Sequence, residues 1–287
     1  MSELLVPFAY DYMLKAMLVS ALVGAVCAFL SAYLMLKGWS LMGDALGHSV
    51  VPGVAGAYLL QIPYAAGAFI AGLLATLGMA IVKQRTRLRE DAIIGLVFTS
   101  FFAAGLLMAS INPTAVNIQT IVLGNILGIS DEDVIQVLII SGVSLAILLV
   151  KWRDLMVVFF DESHARAIGI NPNALKILFF TLLAACTVAA LQTVGACLVI
   201  AMVVTPGATA YLLTDRFGRL IVLSVAIGAT TSFLGAYISY FLDGATGGVI
   251  VSLQTLLFLT AFYLAPKHGV LAARRRPAPA AGEGIIP

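Results

Sequence analysis

Charged residues are scarce in this sequence. Only 10% of its 287 residues are Asp, Glu, Lys or Arg, whereas a soluble domain carries about 25%. Hydrophobic residues make up 61%, and the mean hydropathy is +1.06. The formal net charge is only +2, so a diffuse basic surface for nucleic acid is not expected. The composition excludes an ordinary soluble globule, a disordered chain and a collagen.

Cysteine is also rare, and familiar catalytic motifs are missing. The three cysteines, Cys27, Cys186 and Cys197, lie in apolar runs without a Cys-x-x-Cys pair, so we interpret them as small buried hydrophobic residues. No signal peptide is evident, because a basic leader and a short cleavable apolar run are lacking. The phosphate-binding loop, the G-x-S-x-G elbow and the H-E-x-x-H motif do not occur, which argues against an ATPase, a hydrolase or a metalloprotease.

Apolar runs long enough to cross a membrane fill most of the chain. A helix needs about 20 mostly apolar residues to cross the hydrocarbon core. Nine such runs are present, at residues 14–36, 41–60, 65–82, 92–109, 134–150, 175–191, 194–213, 220–241 and 247–264. We therefore predict an all-α, polytopic integral membrane protein with about nine transmembrane helices, eight or ten being the neighbouring alternatives. The shorter run 116–127 is predicted to be a re-entrant or partial helix.

The basic residues orient these spans. Fifteen of the sixteen follow odd-numbered spans, and Lys15 is the exception. Because positive charge accumulates on the cytoplasmic side, the N-terminus is predicted outside and the C-terminus in the cytoplasm. Residues 1–271 are predicted to form the transmembrane domain, and residues 272–287 a disordered cytoplasmic tail.

One pair of ionisable residues lies within a predicted span. Asp44 and His48, in the Gly-Asp-Ala-Leu-Gly-His-Ser segment 43–49, are four positions apart, which places them on one helical face. A carboxylate and an imidazole suit Mn²⁺, Fe²⁺ or Zn²⁺. The alternative is structural: Asp44 lies in a first helical turn, favoured by the helix dipole, with His48 as its hydrogen-bond partner. Two ligands do not complete a coordination sphere, so a dimer that brings two such pairs together is predicted.

Prolines predict kinks in two spans. Pro52 follows His48 by one turn and removes a backbone donor, while Ser49, Gly53 and Ala57 form a line of small residues that favours close helix packing. Pro206 is predicted to break the seventh span internally. The carbonyls it frees either line a path or merely accompany a bend.

The longest predicted cytoplasmic loop runs over residues 151–172. Within it, Asp161 and Glu162 suit a helix N-terminus and Gly169 a helix end, so we predict a surface helix of about two turns. This helix either lies on lipid or docks a cytoplasmic partner. Its other candidate contact residues are His164, Ala165 and Arg166.

Together these motifs resemble the permease subunit of ATP-binding-cassette importers for divalent metals, the manganese, iron and zinc family. The resemblance rests on Asp44 and His48, on the segment 160–169 and on the segment around Pro206. It implies that Asp44 and His48 contact the transported ion, and that the 161–169 helix is the coupling helix seated in a cleft of an ATPase. The partners it implies are a cytoplasmic ATPase dimer, an extracytoplasmic metal-binding protein and a second permease copy, identical or paralogous, in the bacterial cell membrane.

The cargo expected from this resemblance is Mn²⁺ and/or Fe²⁺, with Zn²⁺ as the alternative. Segments 43–53 and 124–128 are more similar to the manganese and iron members than to the zinc members. No permanently bound cofactor and no nucleic acid partner are expected, and ATP hydrolysis is expected in a separate chain. Two other classes stay open: a proton-coupled carrier that uses Asp44 and His48 as a proton relay, and a membrane scaffold without transport. Association with an ATPase separates the first from an importer, and uptake after deletion of the chain separates the second.

Overall fold

The computed structural model describes residues 3–39, 41–111 and 130–265, and every regular element in these ranges is a helix. A short 3₁₀-helix, Glu3–Ala9, precedes the α-helices. These are α1 Asp11–Lys37, α2 Leu41–Ser49, α3 Val51–Leu60, α4 Tyr64–Arg85, α5 Glu90–Ile111, α6 Asp131–Phe160, α7 Glu162–Ala167, α8 Pro172–Val194, α9 Ala196–Leu213, α10 Phe217–Leu242 and α11 Thr246–Leu264. The predicted re-entrant segment 116–127 and the predicted tail 272–287 lie outside the described residues.

Seven of the described helices are long and apolar enough to cross a membrane, namely α1, α4, α5, α6, α8, α10 and α11. The prediction of an all-helical, polytopic membrane protein is confirmed at this level. Each of the nine predicted runs coincides with helix, but the run 41–60 is divided between α2 and α3 and the run 194–213 forms the shorter α9. The count of nine spans and the orientation of the termini stay predictions.

The division between α2 and α3 falls at Val50, two residues before Pro52. Proline lacks an N–H, so it is tolerated best in the first turn of a helix, where that donor has no partner within the helix. The interruption places Pro52 in the first turn of α3. The sequence prediction that Pro52 disturbs this span thus corresponds to a break just before it.

Helix α1 lies at the centre of the bundle and runs antiparallel to α10. Tyr33 contacts Phe217 near one end of the pair, and Tyr10 contacts Tyr240 near the other. Between these ends the two backbones approach closely, because a Cβ atom added to Gly24 would lie 2.6 Å from the Gly228 carbonyl oxygen. Small residues permit such an approach where lipid provides no hydrophobic driving force between helices.

Helix α9 continues through Pro206, so the predicted internal break at this residue is wrong. A hydroxyl group on α1 lies against this part of α9. Ser31 Oγ donates a hydrogen bond to the Val204 carbonyl at 3.0 Å and accepts one from the Gly207 N–H, also at 3.0 Å. This bridge supplies partners to the backbone beside the proline, where the regular pattern of α9 is interrupted.

Helix α6 extends ten residues beyond the predicted span 134–150, so residues 151–160 are helical rather than part of a loop. The extension keeps one apolar face against the bundle, where Leu155, Val158 and Phe159 are buried. The hydroxyl of Tyr33 in α1 donates to the Trp152 carbonyl at 2.8 Å. Tertiary packing therefore prolongs the helix although the segment carries charges.

A group of lysines lies at one end of the bundle, and a run of acidic residues lies at the other. Lys37, Lys83 and Lys176 lie at what we call the basic end, where the α1 C-terminus, the α4 C-terminus and the α8 N-terminus meet. The N-terminal turn of α6, with Asp131 paired to Lys15 at 2.7 Å, lies at the other end, which we call the acidic end.

Candidate metal site and coupling helix

Asp44 and His48 lie one turn apart on α2, as the spacing requires. The Asp44 side chain lies outside the described part of the structure. The helix is held deep in the bundle on its other faces, where Met42, Ala45 and Leu46 are buried. The backbone of α2 also approaches α9 closely, since a Cβ atom on Gly43 would lie 3.1 Å from Val203 Cγ1. The packing of this short helix therefore fixes the backbone at both candidate ligand positions.

The imidazole of His48 lies against two phenylalanine rings of α5. Its centroid is 5.4 Å from that of Phe98 and 5.3 Å from that of Phe102, and these two rings stack on each other at 6.1 Å. His48 is only partly buried. Aromatic contacts on one side restrict the rotamers of the imidazole. Phe98 and Phe102 are not predictable from the sequence, because an i, i+4 pair of phenylalanines in an apolar span looks the same as a pair that faces lipid.

The described side chains bring no three His, Cys, Asp or Glu groups together as a ready metal cluster. Divalent manganese and iron take more ligands than one carboxylate and one imidazole supply. Any ion at this position therefore draws further ligands from water, from the backbone or from another chain. Cys27 and Cys186 are buried and free, as the sequence predicts, and the Cys197 side chain lies outside the described part.

Helix α3, which continues from the candidate site, is fixed by glycines of its two neighbours. Backbone contact is so close between Gly53 and Gly67 of α4 that a Cβ atom on Gly53 would lie 2.7 Å from the Gly67 carbonyl carbon. On α5, a Cβ atom on Gly105 would lie 2.8 Å from the Pro52 nitrogen. The predicted close packing along Gly53 and Ala57 is confirmed, because a Cβ atom on Gly67 would lie 2.6 Å from that of Ala57.

The predicted surface helix is present as α7. The Asp161 carboxylate caps its N-terminus by accepting hydrogen bonds from the Ser163 and His164 N–H groups, at 2.8 and 3.1 Å. The hydrogen bond from His164 and that from Ser163 hold the pKa of Asp161 below its ordinary value. Gly169 follows the helix in a left-handed conformation, with φ of +83°, as a glycine after a helix end commonly does.

Helix α7 rests on the bundle through one face and leaves the other free. Ala165 is fully buried, whereas His164 and Arg166 are exposed. The exposed face is thus available to a partner at the basic end of the bundle.

Glu162 joins α7 to two other helices. Its carboxylate forms an ion pair with Lys176 of α8, lies 3.9 Å from the ammonium group of Lys37 at the end of α1, and lies 3.9 Å from the guanidinium of Arg166. Burial alone would raise the pKa of Glu162, but the ammonium groups of Lys176, Lys37 and Lys83 outweigh it and hold this pKa below its ordinary value. Glu162 was predicted on the coupling helix, but its partners Lys176 and Lys37 were not predicted.

A second acidic residue, Glu90, contacts Trp39 just before α2. Glu90, the first residue of α5, accepts a hydrogen bond from the Trp39 indole N–H and forms an ion pair with Lys83 of α4. The Lys83 ammonium also lies 5.6 Å from the centroid of the Trp39 ring, at cation–π distance. The beginnings of α2 and α5 are therefore connected directly.

The fold is that of a multi-span membrane protein of the transporter class. Its characteristic features are the apolar spans, the divided helix with its acid and imidazole, and the capped helix at the basic end. The chain belongs to the ABC 3 transport family, whose sequence pattern matches residues 9–265. The resemblance to permeases of ATP-binding-cassette transporters is thus confirmed. The chain is a multi-pass permease of the bacterial inner membrane.

Similar proteins match almost the whole chain. The chelated iron transport system membrane protein YfeC of Yersinia pestis is 73% identical over 273 residues, which are 95% of this chain and 93% of that protein. The manganese transport system membrane protein MntB of Synechocystis is 49% identical over 275 residues, 95% of this chain and 90% of that protein. Among solved structures, PsaBC from Streptococcus pneumoniae in complex with Fab matches with a TM-score of 0.84 and 33% identity, over 96% of this chain and 99% of that one.

Proposed function

We propose that this chain is the membrane-spanning subunit of an ATP-driven importer that carries Mn²⁺ and/or Fe²⁺ into the cytoplasm. The observation that carries the proposal is the placement of Asp44 and His48 one turn apart on a short helix held inside the bundle. Ionisable residues within membrane spans are costly and mark transport pathways. The names of the similar proteins, an iron and a manganese transport system, support this cargo.

In this proposal the ion enters from the acidic end and is released at the basic end, which faces the cytoplasm by the positive-inside rule. An extracytoplasmic metal-binding protein delivers it. Asp44 and His48 hold it transiently, because a transport site that binds tightly releases slowly. A second permease copy, identical or paralogous, supplies a second carboxylate and imidazole about a two-fold axis.

The exposed face of α7 docks a cytoplasmic ATPase dimer. Residues Asp161 to Gly169, including His164, Ala165 and Arg166, form this coupling element, with Asp161 and Gly169 as its caps and Ala165 as its contact to the bundle. ATP binding and hydrolysis in the partner then bias the permease between outward-open and inward-open states through α7.

Metal uptake by substituted permeases tests the assignment. In cells that lack the endogenous chain, Asp44→Asn, His48→Gln and the double variant are each expected to reduce Mn²⁺ uptake by more than about tenfold, since ligand sites lose at least that much when a supporting group is removed. Competition with Fe²⁺ and Zn²⁺ identifies the preferred cargo. Retained uptake by the double variant would refute the site.

A matched control removes a carboxylate that follows α10 rather than one on α2. Asp243 follows α10 in a left-handed conformation, with φ of +46°, which asparagine also adopts readily. Asp243→Asn is therefore expected to retain both membrane abundance and uptake. Co-purification of every variant with the ATPase verifies that the complex is assembled. Uptake that persists without any ATPase would favour the proton-coupled carrier instead.

A further inference from the structure

We propose that Glu162 is a positioning residue that transmits the displacement of α7 to α2 by way of Lys37. This inference rests on the proposed function, because it names the residues through which an ATPase docked on α7 would act on the candidate metal site. The observation behind it is that one carboxylate on α7 contacts the last residue of α1, while the chain that follows α1 leads directly into α2.

The Glu162 cluster is shielded from solvent. The side chains of Glu162, Lys176 and Lys37 are only 29%, 20% and 25% exposed. Ion pairs of this kind are screened by salt less than fully exposed pairs. Arg166, which is 64% exposed, lies at the edge of the cluster. A movement of α7 therefore displaces a charge that attracts the C-terminus of α1 and the N-terminus of α8 together.

The junction between α1 and α2 is tightly folded. Gly38 caps α1 with φ of +72°, and its N–H donates to the Met35 carbonyl, while the Trp39 N–H donates to the Leu34 carbonyl at 2.9 Å. These two hydrogen bonds form a Schellman-type end, which fixes the direction of the chain that leaves a helix. The Trp39 carbonyl in turn accepts a hydrogen bond from the Met42 N–H in the first turn of α2, at 3.1 Å. Displacement of Lys37 is thereby passed to α2 through backbone hydrogen bonds.

The side chain of Trp39 connects the junction between α1 and α2 to α5, which lies against His48. It is buried between Phe159 of α6 and Phe180 of α8, with ring centroids at 5.6 and 5.5 Å. Its indole N–H reaches Glu90 at the start of α5. Helix α5 carries the two phenylalanine rings that contact His48. Helix α2, which carries His48, and helix α5, which contacts its imidazole, therefore both begin beside Trp39, at the junction that Glu162 contacts through Lys37.

The test is the number of Mn²⁺ ions transported per ATP hydrolysed, measured on the full complex with its ATPase and metal-binding protein in proteoliposomes. Glu162→Gln and Lys37→Gln are each expected to lower this ratio by about fivefold. Fivefold is the factor in an equilibrium constant that corresponds to the upper end of the interaction free energies measured for exposed ion pairs. ATP hydrolysis itself is expected to continue. Lys37 lies outside α7, so its variant tests the route even where Glu162→Gln weakens ATPase docking.

A double-mutant cycle distinguishes transmission from a general structural role. If Glu162 acts through Lys37, the double variant loses no more than either single variant. Asp154→Asn is the matched control, because the Lys151–Asp154 ion pair, at 3.0 Å, lies within α6 at the same end of the bundle. Its ratio is expected to equal that of the unaltered complex.

Two results overturn the inference while the proposed function stands. They are an unchanged ions-per-ATP ratio in Glu162→Gln and Lys37→Gln, and losses that add in the double variant. A different result would refute the proposed function and the inference with it: an unaltered complex that hydrolyses ATP but moves neither Mn²⁺ nor Fe²⁺.

Discussion

The hydroxyl of Ser31 bridges two places on α9 that flank Pro206, so Ser31→Ala tests the packing of the two helices. The substitution removes the donor to the Val204 carbonyl and the acceptor for the Gly207 N–H, which are separated from Ser31 by more than 170 positions in sequence. Ser31 is fully buried, and neither lipid nor water is expected to replace it. The Gly207 N–H loses its bond to the Ser31 hydroxyl, and the Val204 carbonyl loses its donor.

The loss of a partner by a buried hydrogen-bond donor lowers the free energy of unfolding by about 1–3 kcal/mol. The methyl group of alanine fills nearly the same volume as the serine side chain, so little cavity contribution is added. For a chain of this size, that loss corresponds to a decrease of about 2–5 °C in the unfolding midpoint. Thermal unfolding of the purified permease in detergent, followed by circular dichroism or by thiol accessibility, measures the shift.

Ser252→Ala is the control for this prediction. Ser252 is exposed, and its hydroxyl donates to the Gly248 carbonyl within its own helix at 2.8 Å. Such an exposed substitution is expected to change stability by less than about 0.5 kcal/mol. Equal melting temperatures for Ser31→Ala and Ser252→Ala would refute the argument that the Ser31 bridge sustains α9 beside Pro206.

Three further predictions concern packing, pH and thiol access. Gly53→Val is expected to lower the free energy of unfolding by about 1–3 kcal/mol, because the valine side chain would meet the Gly67 backbone. The control is Gly248→Ala, since nothing lies within 4 Å of a Cβ atom at Gly248. Similar melting temperatures for the two variants would contradict the prediction. The lowered pKa of Asp161 means that its contribution to α7 is present above the ordinary pKa of 3.8 and is lost as the pH falls through the lower value of the folded chain. Hydrogen exchange at the Ser163 and His164 amides is therefore expected to accelerate in that acid range, and a profile identical to that of Asp161→Asn would contradict it. In a Cys197→Ala background, Cys27 and Cys186 are expected to resist maleimide until the protein is unfolded, because both are buried; rapid labelling of the folded chain would show that the surrounding core is open.

The membrane-spanning character was predictable because it depends on local composition. A helix in lipid satisfies its backbone hydrogen bonds internally, so the length of an apolar run is nearly enough to place it. The surface helix was equally predictable, since Asp161 at its start and Gly169 after its end act through neighbouring backbone groups.

Features that depend on distant residues were not predictable in the same way. The expected break at Pro206 is absent, and the hydroxyl of Ser31, on another helix, bonds the α9 backbone on both sides of the proline. The loop expected from Lys151 onward is helical because Leu155 and Phe159 find a buried face. At the candidate site, the i, i+4 spacing suggested Asp44 and His48, but nothing in the sequence distinguishes Phe98 and Phe102, which contact the imidazole, from phenylalanines that face lipid.

The central claim is that His48 and Asp44 contact a transported divalent cation. Pulsed electron paramagnetic resonance of Mn²⁺ bound to the assembled transporter tests it most directly, because the unpaired electrons of Mn²⁺ couple to a ligating nitrogen. We predict a coupling to an imidazole nitrogen that disappears in His48→Gln, and Mn²⁺ affinity that falls in Asp44→Asn. A nitrogen coupling that persists unchanged in His48→Gln, or Mn²⁺ bound with no nitrogen coupling at all, would contradict the claim.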